Sequence, residues 1–396
     1  MLFDPPSHER LTERRWDEPR ARAAIAAIAA DTEAAFDEGS LWPAHPHDEK
    51  VGRRPRLASL YLGASGVIWA LHELERVGAA ELRRDWAPVA VRLAEDYPFR
   101  PDFDVFVEGP VPSLWMGEAG ILLVAHTLAP AAWQEERLLE AVRANAANPS
   151  WELMWGSPGT MIAAHIMYQR TGVDVWREAW HNSADLLWAE WRDDLWLQDL
   201  YQSRVHILGP AHGFAGNVLA LANGLLEPAR RTELEQRAVA AAAKYANRSD
   251  GLAQWPMSLE PREGKSQEVR TQWCHGAPGI IASLATLAPR DEQLTDLLVS
   301  GGELTWQAGP LAKGANLCHG TAGNGYAFLK LFKRTGNELW LERAQAYAMH
   351  AIEQIEQTTA TYGRGRHTLW TGDPGTALYL HSCLTATAAF PTLDHF

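Results

Sequence analysis

The stretch Trp273-Cys274-His275-Gly276-Ala277-Pro278-Gly279 contains a Gly-x-x-Gly element that recurs along this chain of 396 residues. The seven copies begin at Gly63, Gly117, Gly156, Gly213, Gly276, Gly320 and Gly372. Consecutive copies lie 39 to 63 residues apart, and apolar runs of helical length follow them, such as Val67 to Leu74. One glycine pair marks an ordinary turn, whereas seven at this spacing indicate a repeated structural unit.

The repeats predict an all-α fold, an α/α toroid in which helix pairs form a ring. A more amphipathic segment such as Leu339–Ile355 follows the apolar run, so each repeat should supply an inner and an outer helix. Glycine at the start of an inner helix allows close backbone approach and tolerates a positive φ. All inner helices should point their N-termini, which carry partial positive charge, to the end that holds the active site.

The whole repeat region is predicted to form one domain. No Pro/Ser/Gly-rich linker divides the chain, so we assign residues 46–396 to a single toroid. Residues 1–45 include an Ala-rich segment near Arg20–Ala35 and are predicted to form an N-terminal helical extension. A closed ring buries its own edges, which favours a monomer.

Composition excludes several classes of partner. The formal charge of −13 argues against nucleic acid and against an anionic membrane surface. No stretch approaches the roughly 20 apolar residues of a membrane span, and the first residues lack an apolar signal region. Three cysteines in a chain of this size do not suggest a disulfide framework, so we expect a reducing, cytoplasmic location.

Two of the three cysteines lie in near-matching segments, Trp273-Cys274-His275-Gly276 and Leu317-Cys318-His319-Gly320. Two thiolates and an imidazole suit zinc, and three protein ligands leave a fourth position open for chemistry. The twin segments therefore predict a catalytic zinc site. Cys383 lies in an apolar run without a His-Gly neighbour and is expected to be part of the core.

These strings, together with Ala211-His212-Gly213-x-Ala215-Gly216, make the chain resemble the lanthionine synthetase C-like (LanC-like) family over nearly its whole length. The resemblance implies a double ring of seven inner and seven outer helices, one zinc ion, and addition of thiols to dehydroalanine or dehydrobutyrine. The thiol is a peptide cysteine in lantibiotic cyclases and glutathione in the LanC-like branch of eukaryotes. This chain resembles the second branch at two positions. It has histidine rather than tyrosine at position 275, and it has a lysine at position 313.

The resemblance also implies roles for individual residues. Zinc would be held by Cys274, Cys318 and His319, and His212 would act as the catalytic acid and base. Glu152 matches a carboxylate near the active histidine of the family, and it would orient His212 or contact the substrate. His275 would orient the substrate, support the metal ligands, or only pack against neighbouring side chains.

Basic residues in an acidic protein are candidates for binding an anionic substrate group. Arg270 and Lys313 match family positions, where they would hold a carboxylate of glutathione, a substrate phosphate or the enolate that forms during thiol addition. Arg364 and Arg366 precede the seventh repeat and are predicted to line the mouth of the site.

Two other functions are compatible with the sequence. Eighteen tryptophans would suit a glycoside-processing toroid, for which Glu118 and Asp373 could form the pair of carboxylates. That function leaves the Cys-His segments unexplained. Alternatively, the chain could be a non-catalytic zinc- or glutathione-binding signalling scaffold, because a retained fold does not prove turnover.

Overall fold

The computed structural model describes residues 2–42, 44–48, 56–103, 109–260 and 268–396. The helices that follow the glycine elements are α2 (Ala64–Arg76), α4 (Glu118–Leu128), α6 (Ser157–Thr171), α8 (Phe214–Ala222), α10 (Ala277–Leu284), α12 (Thr321–Thr335) and α14 (Asp373–Thr385). The other α-helices are α1 (Glu18–Ala34), which precedes α2, and α3 (Ala87–Asp96), α5 (Ala132–Asn145), α7 (Asp174–Ala189), α9 (Pro228–Lys244), α11 (Glu292–Ala308) and α13 (Glu338–Tyr362), which lie between the inner helices in the chain.

The even-numbered helices form a closed inner ring. Each contacts the next one along the chain, and α14 contacts α2, so the first and last repeats meet. The odd-numbered helices pack outside them, and α1 packs against α14 and α13. Helix α1, which belongs to the predicted N-terminal extension, thereby takes the seventh place in the outer ring. The predicted α/α toroid of seven inner and seven outer helices is confirmed.

Two short antiparallel hairpins are the strand pairs within the described ranges. Strands β1 (Gln198–Leu200) and β2 (Ser203–Val205) pair in the connection between α7 and α8. Strands β3 (Asn247–Ser249) and β4 (Leu252–Gln254) pair between α9 and α10. No helix of the described residues combines the length and the apolar character that crossing a bilayer requires.

The first glycine of each element is the N-cap of its inner helix. Only Gly276, with φ of 101°, has a positive φ, so tolerance of a positive φ explains that position and was the wrong reason for the other six. At those six positions the close approach of the backbone explains the glycine. A Cβ atom on Gly213 would lie 1.9 Å from the carbonyl oxygen of Ile207, because the entry turn folds tightly onto the helix start.

The second glycine of each element brings neighbouring repeats together. A Cβ on Gly120 would lie 2.0 Å from the Leu114 carbonyl oxygen and 2.9 Å from Cβ of Leu60, in the preceding repeat. A Cβ on Gly66 would lie 2.9 Å from Cβ of Leu369, in the last repeat. The same small-residue contact therefore joins successive repeats and also closes the ring.

Gly120→Ala is expected to lower the free energy of unfolding by about 3 kcal/mol, because backbone must move to admit the methyl group. Gly301→Ala in α11 is the matched control, since its new Cβ would meet only side chains, at 3.3 Å or more. Helix propensity favours that control change by about 0.5–1 kcal/mol. Urea unfolding followed by tryptophan fluorescence measures both. Equal midpoints for the two variants would contradict the steric explanation.

Aromatic side chains fill the middle of the ring. The indole of Trp370 lies 4.5 Å from that of Trp115 and 4.7 Å from that of Trp273, measured between ring centroids. Tyr61 and Phe390 stack on Trp370 at 5.7 and 5.6 Å. Twelve of the 18 tryptophans are buried and none is exposed. Most of the tryptophans therefore fill the core, which accounts for their number without sugar binding.

Candidate functional site

The cysteines lie at equivalent positions in a rim at the N-terminal end of the inner helices. The residues two positions before the first glycines hydrogen-bond to each other through their backbones. The Cys274 N–H donates to the Cys318 carbonyl at 3.0 Å, and the Cys318 N–H donates to the Trp370 carbonyl at 2.9 Å. Position 61 of the first repeat joins the same rim, because the Tyr61 N–H donates to the Trp115 carbonyl at 2.9 Å.

The residue that follows each rim position is a histidine in three consecutive repeats, namely His212, His275 and His319. The rings of His212 and His275 are stacked, with centroids 6.1 Å apart. The fourth to sixth repeats therefore present three imidazoles and two thiols side by side. Together these residues form the candidate active site.

The two rim thiols are buried and interact with each other. Cys274 is 6% exposed and Cys318 is 4% exposed. Burial alone would raise the pKa of Cys274, but hydrogen bonds from the Cys318 thiol and from Gln272 outweigh it and lower that pKa. The Gln272 amide lies 2.8 Å from the Cys274 sulfur. Burial and the neighbouring Cys274 raise the pKa of Cys318 well above its usual value. Of the two thiols, Cys274 is therefore the one that deprotonates more readily.

The adjacent imidazoles are held neutral. Burial, followed by the charges of Arg366 and Lys313, lowers the pKa of His319 to about 4. Burial and the charge of His212 lower the pKa of His275 well below its usual value. A neutral imidazole retains the lone pair that binds a metal. Nδ1 of His275 is buried and has no hydrogen-bond partner in the described part of the chain.

The donor atoms of this rim fit a soft metal ion, but they are not gathered as a ligand set. Among the described residues, no three His, Cys, Asp or Glu side chains are grouped so that they could hold an ion. The two adjacent thiols are ligands that zinc prefers, and His319 follows one of them directly. A third ligand would have to turn towards the thiol pair.

His212 is oriented by a buried carboxylate. Its Nδ1 lies 2.9 Å from Oε2 of Glu152, which is 0% exposed. The backbone N–H groups of Met154 and Trp155 donate to the two carboxylate oxygens at 2.8 and 2.6 Å. Because these donors hold the carboxylate as an acceptor, the imidazole donates from Nδ1. Its Nε2 is then available to exchange a proton with a substrate.

Arg270 and Lys313, which were predicted to bind an anionic substrate group, have different hydrogen-bond partners. Arg270 pairs with Glu268 at 2.6 Å, and its charge contributes to lowering the pKa of Cys274. Lys313 donates to the Gln272 side-chain oxygen at 3.2 Å, so a chain of contacts links it to the Cys274 sulfur.

The two arginines before the seventh repeat already have partners in the loop of residues 44–48. Arg366 is buried and pairs with Asp48 through two hydrogen bonds. Arg364 donates to the Ala44 carbonyl. A substrate anion would have to displace Asp48 to reach the Arg366 guanidinium.

Some contacts of the site had no usable signal in the sequence. Gln272 joins Lys313 to Cys274, and Asp48 approaches Arg366 from a position 318 residues away. Tyr61 hydrogen-bonds to the Cys318 thiol. Tyr61 lies two residues before Gly63, as Cys318 lies two before Gly320, so an alignment of the repeats would have found it.

The two carboxylates considered for glycoside hydrolysis have other partners. Glu118 pairs with Arg137 of the outer helix α5. Asp373 accepts the backbone N–H of Arg366 at 2.8 Å, and burial raises its pKa to about 6. The structure thus gives each carboxylate a separate structural contact.

A cavity of about 990 Å³ lies at the C-terminal ends of the inner helices, away from the thiol rim. Two of the cations that line it have structural partners. Arg334 donates to the carbonyls of Ala285 and Leu287 at 2.8 Å, and Lys330 pairs with Asp394 at 2.6 Å. Such contacts satisfy free carbonyls at helix ends. The chemistry-bearing side chains are at the opposite end.

Comparison with known proteins agrees with this arrangement. The family model for "Lanthionine synthetase C-like protein" matches residues 54–394. The chain is 32% identical over 160 residues to "LanC-like protein GCL1" of Arabidopsis thaliana, a match covering 38% of this chain and 35% of that protein. It is 36% identical over 144 residues to "Glutathione S-transferase LANCL1" of Danio rerio, covering 34% of each. These matches span about a third of the length of the curated relatives.

Among solved structures, "Nisin cyclase" has a similar fold. The TM-score is 0.58 at 16% identity, and the superposition covers 93% of this chain and 100% of that chain. At this identity the likeness concerns the fold, and it agrees with the closed double ring of helices.

Proposed function

The chain belongs to the lanthionine synthetase C-like family, and from that premise we propose that it adds a thiol to dehydroalanine or dehydrobutyrine residues to form a thioether. The observation that carries the proposal is the position of the His212–Glu152 pair beside the Cys274–Cys318 pair on one rim. Thiol addition needs an activated sulfur and a positioned proton donor, and this rim contains groups suited to both tasks.

His212 would move the proton of the reaction. Nε2 accepts the thiol proton, and the sulfur then attacks the β-carbon of the dehydroamino acid. The π electrons move to the α-carbon and its carbonyl as an enolate, and the imidazolium returns its proton to the α-carbon. Glu152 keeps the imidazole in one tautomer and stabilises the imidazolium, because its carboxylate accepts from Nδ1.

Cys274, Cys318 and His319 would hold a zinc ion, which supplies, when bound, a Lewis acid that lowers the pKa of a substrate thiol. The adjacency of the two thiols and the neutral form of His319 support this assignment. His275 would pack against His212 and keep its ring in place.

Arg270 and Lys313 would bind the anionic part of the substrates. Both act electrostatically on the Cys274–His275 segment, since their charges contribute to lowering the pKa of His275. A carboxylate of glutathione or the developing enolate would meet these cations. Arg366 would join them only after releasing Asp48.

We propose glutathione as the preferred thiol. The relative from Danio rerio is named a glutathione S-transferase, and His275 and Lys313 are similar to the branch that uses glutathione. A peptide cysteine is the alternative, and it would make the product a cyclic thioether.

The test is a thiol-addition assay with the zinc-loaded chain and a synthetic peptide that contains one dehydroalanine. We expect the peptide to gain the mass of one glutathione faster than without enzyme. A second peptide with both a cysteine and a dehydroalanine reports ring closure. If neither peptide reacts above the uncatalysed rate, the chain is not a thiol transferase, and the scaffold function takes precedence.

A further inference from the structure

Tyr201 lies at the tip of the β1–β2 hairpin, at the edge of the candidate active site. Its ring meets the His212 ring edge to face, with centroids 5.8 Å apart. Its hydroxyl oxygen accepts the indole N–H of Trp155 at 2.9 Å. Tyr201 is 67% exposed, which is unusual for an aromatic side chain in a protein that buries most of its aromatic rings. The phenol therefore presents a free face directly beside the proposed proton donor.

The hairpin holds Tyr201 in place. The Asp199 N–H donates to the Pro149 carbonyl at 3.1 Å, and the Gln198 amide donates to the Trp151 carbonyl at 3.3 Å. Both acceptors belong to the loop that carries Glu152. Tyr201 and Gln202 have φ of 52° and 61°, in a two-residue turn where glycine or asparagine is usual. The turn thus keeps a bulky side chain at a strained position beside the site.

We propose that Tyr201 and Trp155 form a wall that binds the polypeptide segment flanking the dehydroamino acid. This inference rests on the proposed function. His212 must reach the α-carbon of the electrophile to deliver a proton, so the electrophile lies against His212. A ring in contact with His212 then lies beside the next part of the same substrate chain.

The wall suits a polypeptide better than glutathione. The contacts of Tyr201 and Trp155 that define it are aromatic or hydrogen-bonding, whereas the cations Arg270 and Lys313 lie on the Cys274 side. Glutathione carries two carboxylates and would be drawn to those cations. A flat, exposed ring with a fixed hydroxyl binds peptide groups and apolar side chains without demanding a sequence. Tyr201 is therefore a positioning residue for the electrophile.

Tyr201→Ala is expected to raise KM for a dehydroalanine-containing decapeptide about tenfold, the loss typical of removing an aromatic contact. KM for glutathione and turnover of the small electrophile N-acetyl-dehydroalanine amide should stay within about twofold of wild type. Tyr201→Phe removes the hydroxyl–indole hydrogen bond and keeps both rings, and Trp155→Phe removes the same bond and keeps a smaller aromatic ring at position 155, so each should raise the peptide KM less. Their double variant should be no worse than either single one.

Tyr362→Ala is the matched control, because Tyr362 is also a partly exposed tyrosine but contacts His47. It should leave the peptide KM unchanged. An unchanged peptide KM in Tyr201→Ala, or equal losses for the decapeptide and the small electrophile, would overturn the inference. If wild-type protein turns over neither electrophile, the proposed function itself has failed, and that result is distinct from failure of the wall.

Discussion

Replacing Cys274 with alanine is expected to remove bound zinc and to lower kcat/KM for glutathione addition about a hundred- to a thousandfold. A zinc ion contributes several kcal/mol by activating a nucleophile, and about 3–4 kcal/mol corresponds to that loss of rate. The variant leaves Cys318 as the one thiol of the rim. Zinc per chain, measured by elemental mass spectrometry beside the rate, should fall from about one to well below one.

Cys383→Ala is the control that separates loss of metal from loss of stability. Cys383 is 1% exposed, and burial raises its pKa to about 12, so its thiol is neutral and belongs to the core. The variant should be less stable than wild type and should still bind one zinc ion. A wild-type chain that is folded, metal-free and unable to take up added zinc would contradict the zinc proposal. Full zinc binding by Cys274→Ala would show that the ligands are misassigned.

Replacing His212 with asparagine is expected to lower kcat about 10²- to 10⁴-fold, the usual contribution of a positioned acid and base. Zinc content and KM for glutathione should hardly change, because His212 is proposed to bind neither zinc nor glutathione. Glu152→Gln should also lower kcat, and it should lower the free energy of unfolding by about 1–3 kcal/mol. A glutamine amide cannot accept from all the donors that surround the buried carboxylate.

His206→Asn is a matched control for the His212 variant. His206 pairs with Glu260 as His212 pairs with Glu152, but both members of that pair are more exposed. It should keep kcat within about twofold of wild type. A loss of less than tenfold in His212→Asn would contradict the proton-transfer role. Retained zinc with abolished turnover would exclude the scaffold function, because a scaffold has no turnover to lose.

The fold was predictable because its main constraint is local. A position where an added Cβ would lie about 2 Å from a preceding carbonyl oxygen must be glycine, and this requirement is visible in the sequence as Gly-x-x-Gly. The place of helix α1 was not predictable in this way. Its partner α14 is remote in sequence, and an Ala-rich helix does not identify which apolar surface it covers.

The same distinction applies to the candidate site. Cys274, Cys318 and His212 lie one or two residues before the first glycine of an element, so their common end of the ring followed from the repeat. Gln272 precedes an element and Tyr201 lies in a hairpin, and their contacts depend on how separate segments cross. Such crossings are set by the packing of the whole ring and leave no periodic signal.

Helix α1 is synthesised before all seven inner helices, yet the inner helix it covers, α14, is the last of those seven to be synthesised. More than 330 residues separate Ala34 from Asp373, so at about 5–20 residues per second α1 waits roughly 20–70 s for its partner. During that time Ile25 and Ile28, which are buried in the finished ring, remain uncovered. Nascent chains are therefore expected to bind chaperones through residues 18–34 until the seventh repeat has left the ribosome.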